Sequence, residues 1–184
     1  MREVEVKVRL HDIGEALEKL AQAGIVVSQP KEQHDVVYCL PEDKTKENDP
    51  ATNWLRIRTQ DKTKVFFTLK RSVSGSLDSI EHETIVENGE ELAAMLRYMG
   101  YVTYNDLVKI RRTGHYGNSV EICVDEVPPL GAFMELEQLC EDSADGAEIE
   151  AQLLAVLDTL GIAYETRVTR GYDELMNEYL ARKE

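Results

Sequence analysis

The sequence predicts a protein of the α+β class, an antiparallel sheet of eight strands with flanking helices. Three observations lead there. Eight β-type runs are spread along the 184 residues, enough to close a small barrel. Many of these runs alternate a charged with an aliphatic residue, giving each strand two chemically distinct faces. Four further stretches carry helical periodicity, three of them opened by a capping residue and stopped by a glycine.

The β-type runs are, in order, Glu3 to Arg9, Val36 to Leu40, Trp54 to Thr59, Val65 to Lys70, Ile80 to Glu87, Leu107 to Arg112, Val120 to Val127 and Phe133 to Leu139. The first helix begins at Asp12 with Glu15 three residues on, places Ile13, Leu17, Leu20 and Ala21 on one face, and stops at Gly24. The second repeats this from Asn88 to Gly100 around Leu92, Met95, Leu96 and Met99. A third runs from about Asp145 through Ile149, Leu153, Leu157 and Leu160 to Gly161, and Tyr172, Leu175, Met176, Tyr179 and Leu180 mark a C-terminal one. The polar segment Pro41 to Asn53 and the Ser/Gly-rich Ser72 to Asp78 read as mobile loops. No shift of composition marks a boundary, and the 42% hydrophobic content supports one core, so residues 1–184 are read as a single domain.

A net charge of −14 argues against a nucleic-acid polymer or an anionic membrane as partner, because a basic surface is what draws phosphate backbones. No apolar run approaches membrane-spanning length and no secretory leader opens the sequence, so a cytoplasmic protein is expected. Cys39, Cys123 and Cys140 lack zinc-site or disulfide spacing and read as small core residues.

Parity assigns the charges. Glu3, Glu5, Lys7 and Arg9 share one face of the first strand while Val4, Val6, Val8 and Leu10 share the other. The same division separates Arg56 and Arg58 from Leu55 and Ile57, Lys109 and Arg111 from Val108 and Ile110, and Glu135 and Glu137 from Met134 and Leu136. Two readings follow. In one the charged face meets solvent, as is usual for an antiparallel sheet. In the other the sheet closes around a wet, charged bore, consistent with charges grouped by sign and arginines at i and i+2. Lys7, Arg56, Arg58, Lys70, Lys109 and Arg111 would then bind a polyanion. Glu3, Glu5, Glu81, Glu83, Glu135 and Glu137 would hold a hard cation such as Mg²⁺ or Mn²⁺.

An ordered set of motifs chooses between them. Glu3, Glu5 and Lys7 form E-x-E-x-K, followed by the Asp35-to-Tyr38 element, L-R-x-R at Leu55 to Arg58, T-L-K at Thr68 to Lys70 and the pair Glu81 and Glu83. Then come K-x-R at Lys109 and Arg111, D-x-V and L-G-x-F between Asp125 and Phe133, and E-x-E at Glu135 and Glu137. Over nearly the whole chain this resembles the CYTH family, the triphosphate tunnel metalloenzymes, which includes class IV adenylyl cyclases, thiamine triphosphatases and inorganic triphosphatases.

The resemblance implies an eight-stranded antiparallel β-barrel, the triphosphate tunnel, with Mg²⁺ or Mn²⁺ held by Glu5 and Glu137, supported by Glu3, Glu83 and Glu135. It implies phosphate contacts from Arg56, Arg58, Lys70, Lys109 and Arg111, and a Lys7 placed to orient or deprotonate the nucleophile, with Glu5 and Lys70 joining it in catalysis. Two departures stand out. Ser79 occupies a position often held by arginine, leaving that contact absent or supplied by Arg71 or Arg112, and Gly171-Tyr172, next to Arg170, replaces the usual Ser-Tyr.

The implied reaction is metal-dependent hydrolysis of a triphosphate, whether inorganic triphosphate, thiamine triphosphate or a nucleotide. The alternatives are cyclisation of ATP to cyclic AMP and pyrophosphate, and non-catalytic binding of a polyphosphate or nucleotide. A triphosphate-bearing small molecule is the expected partner and a homodimer the default assembly. Other polar and aromatic residues carry plainer expectations. His82 points outward by parity, His34 lies in a loop, Trp54 packs at the core or rim, and Met95 and Met99 face a helix core.

Overall fold

The computed structural model describes residues 1–46, 49–75 and 77–183. Glu47, Asn48, Ser76 and Glu184 lie outside them, the first two in the segment expected as the Pro41-to-Asn53 loop and Ser76 in that from Ser72 to Asp78. The described elements run β1 (Arg2–Leu10), α1 (Ile13–Gln22), β2 (Lys31–Cys39), β3 (Trp54–Gln60), β4 (Lys64–Gly75), β5 (Asp78–Val86) and α2 (Gly89–Tyr98). They continue through β6 (Val102–Tyr116), β7 (Val120–Val127), β8 (Gly131–Cys140), α3 (Gly146–Leu160), β9 (Tyr164–Val168) and α4 (Tyr172–Ala181).

The helices start where the capping residues require. The side chains of Asp12 and Asn88 accept hydrogen bonds from the Glu15 and Glu91 amides, 2.8 and 3.0 Å away, and Asp145 caps α3 in the same manner. Each cap satisfies an amide that has no partner within its helix. Gly161 ends α3 in the left-handed region at φ 62°, where a side chain would strain the backbone.

The strands pair antiparallel in the order β5-β4-β3-β2-β6-β7-β8-β1, and β5 also pairs with β1, so eight strands close into a barrel. β1 has a divided outer edge. Arg2, Glu3 and Val4 pair with β5, whereas Lys7 to Leu10 pair with β9, a short ninth strand that the sequence pattern did not reveal. β2 and β6 are longer than their hydrophobic runs, because polar positions take part in the pairing: Lys31 and Glu32 pair with β6, and Gln33 to Asp35 pair with β3 and β6. β4 continues through Ser72 to Gly75 and β5 starts at Asp78, so the expected Ser72-to-Asp78 loop is largely a hairpin end.

The aliphatic strand faces point outward into helices. Val4, Val6, Val8, Ile122, Val124, Met134 and Leu136 pack beneath Leu20 of α1 and Ile149, Leu153 and Leu157 of α3. Burying each such side chain contributes ~1.5–3 kcal/mol. On the opposite wall Tyr38, Leu55 and Ile57 meet Leu96 of α2. With the aliphatic faces committed outside, the alternate residues must face the bore, which excludes the open-sheet reading.

One end of the bore is apolar. Leu107, Val127 and Phe133 have the parity of inward residues, and they pack with Val168, Tyr172 and Met176, so α4 covers that end. No helix among the described residues is long and apolar enough to cross a membrane.

Candidate active site

The bore encloses a cavity of about 470 Å³, a size suited to a small ligand. β1 contributes Glu3, Glu5 and Lys7 to its wall, β3 contributes Arg56 and Arg58, β4 Lys70, β5 Glu81 and Glu83, β6 Lys109 and Arg111, and β8 Glu135 and Glu137. The inward set expected from parity therefore lines one space. Asp35, Thr68, Glu121 and Tyr172 line it too, and carboxylates outnumber cations among the described lining residues.

Every cation in the bore already has an acidic neighbour. Arg58 grips Asp35 with two parallel hydrogen bonds of 2.7 Å each, the geometry for which the guanidinium is suited. Arg111 holds Asp125 at 2.8 and 2.6 Å, also contacts Glu135, and reaches Glu137 at 3.4 Å. Lys70 lies 2.9 Å from Glu81, and Arg56 donates to Thr68 at 3.2 Å while standing 3.6 Å from Glu83. Lys109 reaches Asp125 at 3.5 Å.

Lys7 is the most enclosed of these cations. Its Nζ lies 3.2 Å from Glu5 and 3.1 Å from Glu135, and donates to the Arg170 carbonyl at 3.1 Å. Burial opposes its charge, yet Glu5 and Glu135 outweigh burial and hold the ammonium above its usual range. Of the two roles expected for Lys7, orienting the nucleophile is the one that a charged ammonium can fill.

Glu3, Glu5 and Glu137 form the other feature, with carboxylate oxygens all within 4.8 Å of one another. Glu5 and Glu137 are directly opposed on β1 and β8. Burial and then the nearby Glu81 push Glu3 up to about 7. Burial, followed by Glu135, pushes Glu5 up to about 8, and burial reinforced by Glu135 and Glu3 pushes Glu137 to about 8 against the pull of Arg111. Glu5 Oε1 is buried and accepts no hydrogen bond, although Lys7 Nζ is within ion-pair range; the direction of approach is wrong for one. A buried oxygen without a donor, in a trio of hard ligands, suits a divalent cation such as Mg²⁺ or Mn²⁺.

The remaining acidic candidates are placed differently. Glu135 sits with Lys7 and Arg111, which, with Lys109, overcome burial and hold it well below the usual carboxylate range. Glu83 is exposed, accepts from Thr68 at 2.9 Å, and lies four residues along β5 from Ser79, the residue opposite Glu3. The trio therefore contains Glu3 in a fuller part than expected and does not contain Glu83.

Several residues at or behind the cavity wall carried no expected role. Asp125 is fully buried and bonded to Arg111 and Tyr172, and Asp35 is held below the usual range because Arg58 outweighs its burial. Both were legible from parity: Val120, Ile122 and Val124 face the outer core, so Glu121, Cys123 and Asp125 must face in, and Val36 and Tyr38 pack outside with Leu96, so Asp35 faces in too. The same parity corrects the reading of Cys123, which is buried on the charged side next to Glu121 and Glu137 rather than in the aliphatic core. Neither Arg71 nor Arg112 replaces the arginine absent at Ser79. Arg71 binds Asn53, Arg112 reaches Glu126, and Ser79 itself donates to Glu81. Arg170 contributes its carbonyl to Lys7 while its side chain pairs with Glu178 at 2.5 Å. Trp54 is buried against Tyr104, ring centroids 4.7 Å apart, and also borders the cavity, while His82 is exposed.

Comparison with known proteins agrees with this architecture. A family model described as the CYTH domain matches residues 1–172. A Methanocaldococcus jannaschii protein provisionally named an adenylate cyclase is 27% identical over 177 residues, covering 95% of this chain and 98% of its own. A solved protein of Pyrococcus horikoshii superposes with a TM-score of 0.78 at 26% identity, over 96% of this chain and 99% of that one. A Hippeastrum protein, provisionally named an adenylyl cyclase and described as having a dominant triphosphatase activity, shares the fold with a TM-score of 0.61 at 16% identity, over 89% of each chain. A family match over almost the whole length, on a closed barrel with a charged bore, makes this chain a member of the CYTH family.

Proposed function

We propose that this protein is a phosphohydrolase that uses Mg²⁺ or Mn²⁺ to cleave a small triphosphate, water attacking the terminal phosphorus to give orthophosphate and the diphosphate. The observation that carries this reading is the single cavity that sets Lys7, Arg56, Arg58, Lys70, Lys109 and Arg111 around a tight carboxylate trio. A polyanion threaded through the bore would add phosphate oxygens to the carboxylate partners that these cations already have. Arg58 and Arg111, already held flat by Asp35 and Asp125, would offer their remaining N–H groups to phosphate without losing side-chain freedom.

Glu3, Glu5 and Glu137 would hold the divalent cation, which neutralises charge on the phosphates as the anhydride bond breaks. Lys7, kept protonated by Glu5 and Glu135, would bind the phosphoryl oxygen on which charge gathers or orient the incoming water. Asp125 and Asp35 anchor the arginines from behind. Apolar packing under α4 closes one end of the bore and keeps bulk water from that side.

A second reading is cyclisation, in which the ribose 3′-hydroxyl of ATP attacks the α-phosphorus and pyrophosphate leaves. It is favoured by the adenylate cyclase name of the Methanocaldococcus jannaschii relative, while the triphosphatase activity described for the Hippeastrum protein favours hydrolysis. The protein is incubated with Mg²⁺ or Mn²⁺ and, separately, inorganic triphosphate, ATP and thiamine triphosphate, and the products are resolved by ion-exchange chromatography. Orthophosphate is expected. Cyclic AMP with pyrophosphate would replace hydrolysis by cyclisation, and affinity without turnover would reduce the protein to a binder.

A further inference from the structure

The aromatic ring that α4 inserts into the end of the bore touches both lysines flanking the polyanion path. Tyr172 is the first residue of α4 and is buried, its ring at 5.1 Å and 64° from that of Phe133. Lys7 Nζ stands 4.2 Å from its ring centroid and Lys109 Nζ 4.9 Å. Its hydroxyl donates at 3.0 Å to Asp125 Oδ2, the oxygen that also accepts from Arg111 at 2.6 Å and from Lys109 at 3.5 Å. The residue before α4 but one, Arg170, supplies the carbonyl that accepts from Lys7.

We infer that Tyr172 is a positioning residue: its ring fixes the Lys7 and Lys109 ammonium groups, and its hydroxyl fixes the carboxylate that aligns Arg111. Carboxylates already hold both lysines, Lys7 between Glu5 and Glu135 and Lys109 beside Asp125. An electron-rich ring face attracts an ammonium group without neutralising it, most strongly where water is excluded. A further carboxylate in the place of the ring would compete with phosphate for the same ammonium groups. The ring therefore completes the positioning of the two lysines without adding another negative charge to the bore. The hydroxyl does a separable task, since it acts on Asp125 and through it on Arg111.

The roles assigned to Lys7 and Lys109 rest on the triphosphate reading above, whereas the ring contacts do not, and the test separates the two. In the protein labelled with ¹³C-lysine and free of metal and substrate, two lysine ε-methylene signals are expected to be shifted upfield by the ring current. Both shifts should persist in Tyr172→Phe and vanish in Tyr172→Leu. In steady-state hydrolysis of inorganic triphosphate with Mg²⁺, Tyr172→Leu is expected to lower kcat about tenfold, the scale of a desolvated cation–π contact, and to raise KM. Tyr172→Phe should recover kcat to within about threefold of the parent while keeping a raised KM, because the Asp125 contact is still missing. A role confined to packing would lower both variants' activity with the folded fraction and leave KM alone.

Absence of ring-shifted lysine signals in the parent protein overturns the inference, and that measurement stands even where Tyr172→Leu does not fold. Phenylalanine performing no better than leucine in kcat also overturns it. Ring-shifted signals in a protein that turns over no triphosphate would uphold the clamp and discard the proposed reaction.

Discussion

Asp125 concentrates more of the site's internal bonding than any glutamate of the trio, and replacing it by asparagine measures what that bonding is worth. The change keeps the size and one carbonyl acceptor but removes the charge facing Arg111, Lys109 and the Tyr172 hydroxyl. Breaking a buried pair by removing one partner costs ~3–5 kcal/mol, because the other charge is left uncompensated in a poorly solvating interior. Arg111 keeps Glu135 and Glu137 as neighbours and the amide oxygen still accepts one bond, so Asp125→Asn should cost about 3 kcal/mol, the lower end. For a chain of this length each kcal/mol moves the midpoint by ~2–4 °C, giving a fall of ~6–12 °C. The assay is thermal unfolding by circular dichroism at pH 7 in a chelator, so that bound metal contributes nothing. A fall below about 2 °C would show that Asp125 is not the anchor of Arg111 and Lys109, and the account of how the cations are held would fail with it.

Glu5→Gln should abolish metal-dependent turnover and, in chelator, lower the melting temperature less than Asp125→Asn does, because Lys7 keeps Glu135 and the Arg170 carbonyl; a larger fall would contradict that environment. Arg58→Ala should raise KM for the triphosphate about tenfold or more by removing a bidentate group, and an unchanged KM would remove Arg58 from the phosphate path. Stability of the metal-free protein should depend on pH in two opposite ways. Glu3, Glu5 and Glu137 titrate near 7, 8 and 8 when folded but near 4.5 when unfolded, so their contribution is full below about pH 4.5 and is lost as pH rises to about 8. Asp35 and Glu81, both depressed by their cationic partners against burial, contribute stability above the unfolded values that is lost on acidification. The melting temperature in chelator should therefore peak near pH ~5 and decline toward pH ~8.5, and a flat or rising profile over that interval would refute the raised values. Mg²⁺ affinity should increase over the same interval with release of protons, measured by calorimetry in buffers of different ionisation enthalpy.

Much of the barrel was legible because strand parity is a strict geometric rule. Once Val4, Val6 and Val8 must meet helices, Glu5 and Lys7 can only face the bore. The same rule applied to β7 reaches Asp125 and Cys123, residues left without a role when the sequence was read for charges grouped by sign. Parity gives the side of the sheet but not the partner across it. That Arg58 binds Asp35, or that Lys7 lies between Glu5 and Glu135, depends on how far each strand is displaced along its neighbour, a property of the closed barrel. Glu83 illustrates the limit: its parity resembles that of Glu81, yet two residues further along β5 it is exposed beside Arg56 and Thr68. β9 was hidden because Tyr164 to Val168 has no run of apolar residues, and its pairing is supplied by the vacant half-edge of β1.

That divided edge bears on the life of the chain before the barrel exists. β1 precedes the other strands of the barrel in the chain, and its hydrogen-bonding partners lie at Asp78–Ile80, Phe133–Cys140 and Tyr164–Val168, so its amides wait for most of the barrel to be made. A valine-rich segment left unpaired for so long is a template for self-association. The alternating Glu3, Glu5, Lys7 and Arg9 place a charge at every second position, so the segment offers no continuous apolar run. Glu3, Glu5 and Lys7, which later line the bore, thus also shield the unpaired strand from self-association, and neutralising all four charges should lower soluble yield as well as activity.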